Sequence, residues 1–187
     1  MPDYNDALKL FHEWTKTDSL RRHAYAVEAA MGYYAVLLEE DEERWRITGL
    51  LHDMDYERHP TPEEHPFTGV KKLEELGYAE EIRTAILGHA TYSGVPRTTR
   101  LSKTLFAVDE LAGFITAVAY VRPTRLEGMK PRSVTKKLKD RRFAAAINRD
   151  DVRQGAQEVG LELNEHIANV IAGMQADATR LGLSTSE

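Results

Sequence analysis

The chain has 187 residues, 42% hydrophobic and 29% charged, with a formal net charge of −5 and no cysteine. This balance fits one globular domain, or one domain with an appended subdomain, and excludes a fibrous or low-complexity chain. Disulfides, thiolate metal sites and cysteine nucleophiles are excluded as well. The opening MPDYNDALKLFHEW lacks the basic-then-apolar pattern of a secretory signal. No apolar run approaches the ~18 residues of a membrane span. The expected location is the cytoplasm, with no membrane partner.

Helical periodicity runs through nearly the whole chain, and strand-like alternation is scarce. A short helix is expected near residues 4–15. A second follows Asp18, read as its N-cap, with Leu20, Ala24, Val27, Ala30, Met31 and Tyr34 at helical spacing. Asp41 caps a third over about 42–54, whose apolar face is Trp45, Ile47, Leu50, Leu51 and Met54. Thr61-Pro62-Glu63-Glu64 has the form of a helix start, with Thr61 as N-cap and Glu64 closing a capping box. That helix would run to Gly77, a C-cap glycine. Further helices are expected over 79–91 and 99–121, separated by SGVPR. Three shorter ones follow from Pro131 to about Leu181. The division expected is a helical core over 1–122 and a basic helical extension over 123–187, packed on the core.

That extension carries the chain's charge asymmetry. Between Arg122 and Arg142 there are nine Lys or Arg against two acids, a net of +7 inside a chain whose total is −5. A local basic patch on an acidic protein suits a specific anionic ligand more than general nucleic-acid binding, so no specific nucleic-acid partner is expected. A solvated helix face explains the patch equally well.

Ionisable residues also stand where core residues are due. His52 and Asp53 end the apolar third helix. His23 shares a face with Ala26, Val27 and Ala30. His89 closes AILGHA, and Asp109 lies inside LFAVDELAGF. A buried acid is costly unless it is paired or bound to a cation. Taken singly, each of these residues reads as a cap, a hydrogen-bonded pair or a surface group. Taken together, they have one joint explanation, convergence on a metal ion, since imidazole and carboxylate suit Zn, Mn, Fe, Co or Ni. His12, His59 and His166 are read as ordinary surface or hydrogen-bonded histidines.

The ordered set His23, His52-Asp53 and Asp109, in RRHAYAVEAA, ITGLLHDMD and TLFAVDELAGF, resembles the HD superfamily of metal-dependent phosphohydrolases. His65 in HPFTGV and His89 in ILGHA resemble the extra histidines of its HDIG-like branch, whose members hold two metals. The resemblance spans about residues 20–115. It implies an all-α HD-domain helical bundle with a short helical C-terminal appendage. It also implies one or two divalent first-row ions (Fe, Mn, Zn, Co or Ni): the first held by His23, His52, Asp53 and Asp109, the second by Asp53 as a bridge with His65 and His89. Two departures stand out. His89 is followed by Ala90 instead of a second histidine, and the family lysine after the doublet is replaced by Tyr56.

The implied reaction is hydrolysis of a phosphoester or phosphoanhydride by metal-activated hydroxide, on a small phosphorylated, nucleotide-type substrate. Catalytic candidates are Asp53 and, for protonating the leaving group, Asp55, Glu64 and Lys103. Arg22, Lys136 and Lys137 are candidates for binding further phosphates. Two alternatives use the same scaffold: a di-iron oxygenase, and a regulatory module without turnover.

Overall fold

The structure, a computed structural model, describes residues 2–185. Among these are nine α-helices and no strand: α1 Tyr4–Trp14, α2 Asp18–Leu37, α3 Glu42–Leu51, α4 Phe67–Glu75, α5 Glu80–His89, α6 Arg100–Tyr120, α7 Pro131–Leu138, α8 Arg149–Glu158 and α9 Leu163–Ala176. Short polar side chains set several of the starts by accepting from free first-turn N–H groups. Asp3 accepts from Asp6 N, Asp41 from Arg44 N, and Asn148 from Asp150 N and Asp151 N. Thr99 and Ser102 form a reciprocal capping box at the start of α6.

The start of α4 differs from the sequence expectation. Thr61 does form a turn: its hydroxyl donates to Glu64 Oε2 (3.1 Å), and its carbonyl accepts from Glu64 N (3.0 Å) and His65 N (2.9 Å). The helix itself begins only at Phe67. Pro66 has no N–H to continue the ladder, and it disfavours the helical region for the residue before it. Likewise α3 ends at Leu51, and residues 52–58 continue as turns. Asp18 is the first residue of α2 and not its cap, which is Thr17.

Two helices are central. α2 and α6 pack on each other; α3 and α9 pack on α2, and α5 and α8 on α6. Val27, Met31, Leu50, Leu105, Phe114 and Ile115 lie in one continuous core with Val134, Ile171 and Met174 from the carboxy-terminal helices. Two crossings depend on glycine. A Cβ on Gly49 would lie 2.9 Å from Glu28 Cα, and one on Gly155 would lie 2.6 Å from Ala107 Cα. The missing side chains let α3 approach α2, and α8 approach α6, at backbone distance. No helix among the described residues is long and apolar enough to cross a membrane.

Several polar groups are locked inside. Glu28 is fully buried, paired with Arg46 (2.6 Å) and Arg180 (3.0 Å), and accepts from the Tyr4 hydroxyl (2.9 Å). This cluster joins α1, α2, α3 and the segment after α9. Arg149 plays a different part. Its guanidinium donates to the carbonyls of Leu138, Asp140, Phe143, Ala144 and Ile147, gathering the loop between α7 and α8 around one side chain. The loop seats Phe143 edge-on against Phe114.

His166 is a satisfied core histidine. Nε2 donates to the Ala107 carbonyl (2.8 Å), and Nδ1 accepts from the Tyr34 hydroxyl (2.6 Å). Burial pushes its pKa down to about 4. The unfolded chain therefore binds a proton at this residue that the folded chain does not, over the interval from pH ~6.5 down to about 4. At about 1.4 kcal/mol per pKa unit, His166 should remove about 3 kcal/mol of stability across that window. Urea unfolding at stepped pH checks this: His166→Gln should flatten the slope between pH 6.5 and 4. A slope equal to that of the parent would contradict it.

Candidate metal centre

Five helices and the turns at their ends deliver ionisable side chains to one place. His23 lies in the second turn of α2, and Asp109 near the middle of α6. His52 caps α3, and Asp53 follows in the turn. His65 stands just before Pro66 at the head of α4, and His89 is the last residue of α5. The packing of α2 on α6 closes a sequence separation of 86 residues between His23 and Asp109, with His23 Nε2 at 3.0 Å from Asp109 Oδ1.

The six residues form two adjacent groups, His23–His52–Asp109 and Asp53–His65–His89; within each, one potential ligand atom per residue lies within 4.8 Å of the others. Asp53 serves both. Its Oδ2 faces His52 Nε2 (3.4 Å) and His23 Nε2 (3.9 Å), while its Oδ1 faces His65 Nε2 (3.3 Å) and His89 Nε2 (3.3 Å). His52 Nε2 also stands 3.4 Å from Asp109 Oδ1. The His52 and His89 rings, one from each group, meet edge-on at 5.2 Å.

The opposite ring nitrogens are already engaged. Nδ1 of His52 donates to the Gly49 carbonyl (2.8 Å), that of His89 to the Ile86 carbonyl, and that of His65 to Asp55 Oδ1 (2.7 Å). With Nδ1 spent as a donor, the lone pair of each neutral ring sits on Nε2, turned to the centre, as metal-ligating histidines require. His52 Nε2 is buried and has no hydrogen-bond partner. An orphaned imidazole nitrogen beside two carboxylates, within a set of four histidines and two aspartates, fits a first-row divalent cation.

The charges are strongly linked. Burial opposes a proton on His52, but the carboxylates of Asp53 and Asp109 outweigh it and hold its pKa well above the ordinary value. His65 behaves in the same way: burial is outweighed by Asp53 and Asp55, and its pKa rises to about 9. For Asp53 and Asp109 burial is likewise outweighed, chiefly by His52, and both carboxyls are held well below the usual range. The His23, Asp53 and Asp109 side chains keep 25%, 22% and 19% exposure, whereas His52 has none, so the centre opens along His23 and the two carboxylates.

The remaining candidates are dispersed. Asp55 is buried, with both oxygens engaged: Oδ1 by His65 and Oδ2 by the backbone N–H of Gly69 (2.6 Å). Lys103 lines a groove with Arg97, Gln154 and Glu158, between the first turns of α6 and the end of α8. Glu64 is exposed and pairs with His59 (3.1 Å). Arg22 is exposed, with its guanidinium against Gly182. Lys136 is exposed at the end of α7, and Lys137 Nζ lies 4.6 Å from the Phe143 ring centroid.

Sequence reasoning did not foresee the residues around the ligands. Tyr56 stands edge-on to the His65 ring at 5.2 Å, and the Tyr92 hydroxyl donates to the His65 carbonyl (3.0 Å). Glu110 accepts from Asn148 N (3.3 Å); burial, then the Asp109 charge, pushes its pKa up to about 7.

An all-helical scaffold brings four histidines and two aspartates, from helix interiors and helix ends, close enough together to hold divalent metal. A family model, the HD domain, matches residues 20–113, which include all six of these side chains. The chain belongs to the HD domain family, whose members are generally metal-dependent hydrolases. No curated protein and no solved structure matches it.

Proposed function

We propose that the protein is a two-metal phosphohydrolase that cleaves a phosphoester or phosphoanhydride of a small, nucleotide-type substrate. The observation that carries this reading is Asp53, which turns one oxygen to each histidine group. A carboxylate shared in this way would hold two cations side by side, an arrangement that can clamp the attacking and leaving oxygens of an in-line displacement at phosphorus. Bound divalent ions supply there a water acidic enough to ionise near neutral pH and the positive charge that offsets the phosphoryl oxygens.

The chain's own residues prepare the site. His23, His52 and Asp109 would hold one ion, and His65 and His89 the other, with Asp53 between them. The carbonyls of Gly49 and Ile86 orient the His52 and His89 rings. The partly exposed edges of Asp53 and Asp109 leave an approach for a phosphoryl group, and the exposed rings of Tyr56 and Tyr92 stand beside His65, where a planar leaving group would have an aromatic surface to pack on.

A screen tests this reading. Nucleotides, dinucleoside polyphosphates, cyclic dinucleotides and sugar phosphates would be incubated with Mn, Fe(II), Co, Ni or Mg, and phosphate or nucleotide release followed. Release that requires the ion and favours nucleotide substrates is the expected outcome. Protein that carries two ions per chain yet releases nothing from any of these classes would overturn the hydrolytic reading. Oxygen uptake under Fe(II) would point to the oxygenase alternative.

A further inference from the structure

Asp55 is placed as no free acid would be. It is 1% exposed, and its two oxygens accept from two different donors, His65 Nδ1 (2.7 Å) and Gly69 N (2.6 Å). Gly69 is fitted to it: a Cβ there would lie 2.9 Å from Asp55 Cγ and 3.0 Å from Oδ2. The first turn of α4 thus clamps the carboxylate, and the carboxylate clamps His65. The other two buried histidines of the centre rest on carbonyls of their own helices, Gly49 for His52 and Ile86 for His89. His65 stands in the turn before α4, not at the end of a helix, and its Nδ1 meets Asp55 instead of such a carbonyl. Asp55 takes the place of that carbonyl and adds a negative charge.

We infer that Asp55 is a positioning residue that makes the Asp53–His65–His89 group competent to hold its ion, through the His65 ring, without touching substrate. The chemistry depends on both oxygens being acceptors. An ion on Nε2 needs the proton of the neutral ring to stay on Nδ1. A carboxylate at Asp55 enforces that, since it can only accept. An amide at the same place offers one acceptor and one donor. Either the Gly69 N–H then faces an NH2 group, or His65 Nδ1 must accept, which moves the ring proton to Nε2, where the ion should sit.

The inference rests on the two-ion reading above, and two variants test it apart from that reading. Co(II) titration of the metal-freed full chain would be followed by ligand-field absorption, with ions per chain counted by mass spectrometry. The parent protein should take up two ions. Asp55→Asn should bind one ion as the parent does and the other about 10- to 100-fold more weakly, the usual penalty for losing a partner behind a metal ligand. Gly69→Ala should give the same split although every carboxylate and imidazole remains, because its methyl group displaces the Asp55 carboxylate. The unaltered ion also reports folding, since the His23–His52–Asp109 group draws on α2, α3 and α6. Equal loss of both ions in either variant, or unchanged affinity for both, would overturn the role of Asp55 and leave the two-ion reading standing. Fewer than two ions on the parent protein would overturn that reading, and this inference with it.

Discussion

Asp53→Ala is expected to lower kcat for phosphate release by at least roughly 10³-fold, since a Lewis-acidic ion supplies several kcal/mol to a phosphoryl transition state and each 1.4 kcal/mol is tenfold. The loss should exceed that of any other single ligand. His23 and Asp109 serve only one group and His65 and His89 only the other, whereas Asp53 lies 3.3–3.4 Å from imidazole nitrogens of both. Ion content should fall with activity, and His89→Ala should keep the ion of the His23 group. Steady-state kinetics with mass-spectrometric metal counts on the two variants would decide the point. Full activity in Asp53→Ala would remove Asp53 from the centre.

Metal should also be a large part of this protein's stability, with a characteristic pH dependence. Ion present at 1,000 times its Kd adds about 4 kcal/mol. For a domain of this size that corresponds to about 10 °C in Tm. In the metal-free protein the folded-state pKa values of His52 and His65 are raised. Their contribution to stability is complete below pH ~6.5, the unfolded value, and is lost as pH rises through the folded value, about 9 for His65. The same protons compete with the ion, so affinity rises over that interval. The gap in Tm between loaded and metal-free protein should therefore widen from pH 6.5 to 9. Thermal melts with and without Mn(II) or Zn(II) at three pH values measure it. A gap that stays constant or narrows would mean that His52 and His65 are not the groups the ion displaces.

The sequence made the helices and the ligands legible for a physical reason. Apolar spacing of 3.6 residues marks a buried face, and an ionisable residue on such a face requires a partner, which is how His23, His52, Asp53, His89 and Asp109 stood out. Their grouping in space was less accessible. That His52 opposes Asp109 while His65 opposes the other oxygen of Asp53 depends on how α2 packs on α6 and on where α4 begins. The expectation for α4 failed at Pro66, where a valid turn signal at Thr61 gave a turn and not a helix. Asp55 was read as a candidate leaving-group acid, whereas its carboxylate is engaged by His65 and Gly69. The signal for its real surroundings was Gly69, four residues beyond His65 and small enough to admit a carboxylate. His166, read as a surface or hydrogen-bonded histidine, is the hydrogen-bonded kind, and its burial was legible in the face it shares with Val170 and Met174, both buried. Glu28 carried the same clue, lying on one face of α2 with Ala24 and Met31, but its partners, Arg46 and Arg180, are fixed only by the fold.

The loop between α7 and α8 borders the metal centre. Ile147 Cδ1 would lie 3.3 Å from a Cβ on Gly113, that same position is 3.8 Å from His23 Nδ1, and Asn148 N donates to Glu110 beside Asp109. Its path is set by Arg149 binding backbone carbonyls, a group that every residue possesses. Outward side chains such as Arg141 and Arg142 have no part in that scaffold. The charge this wall presents can therefore change at Arg141 and Arg142 without touching the hydrogen bonds and the Phe143 and Ile147 contacts that hold its path.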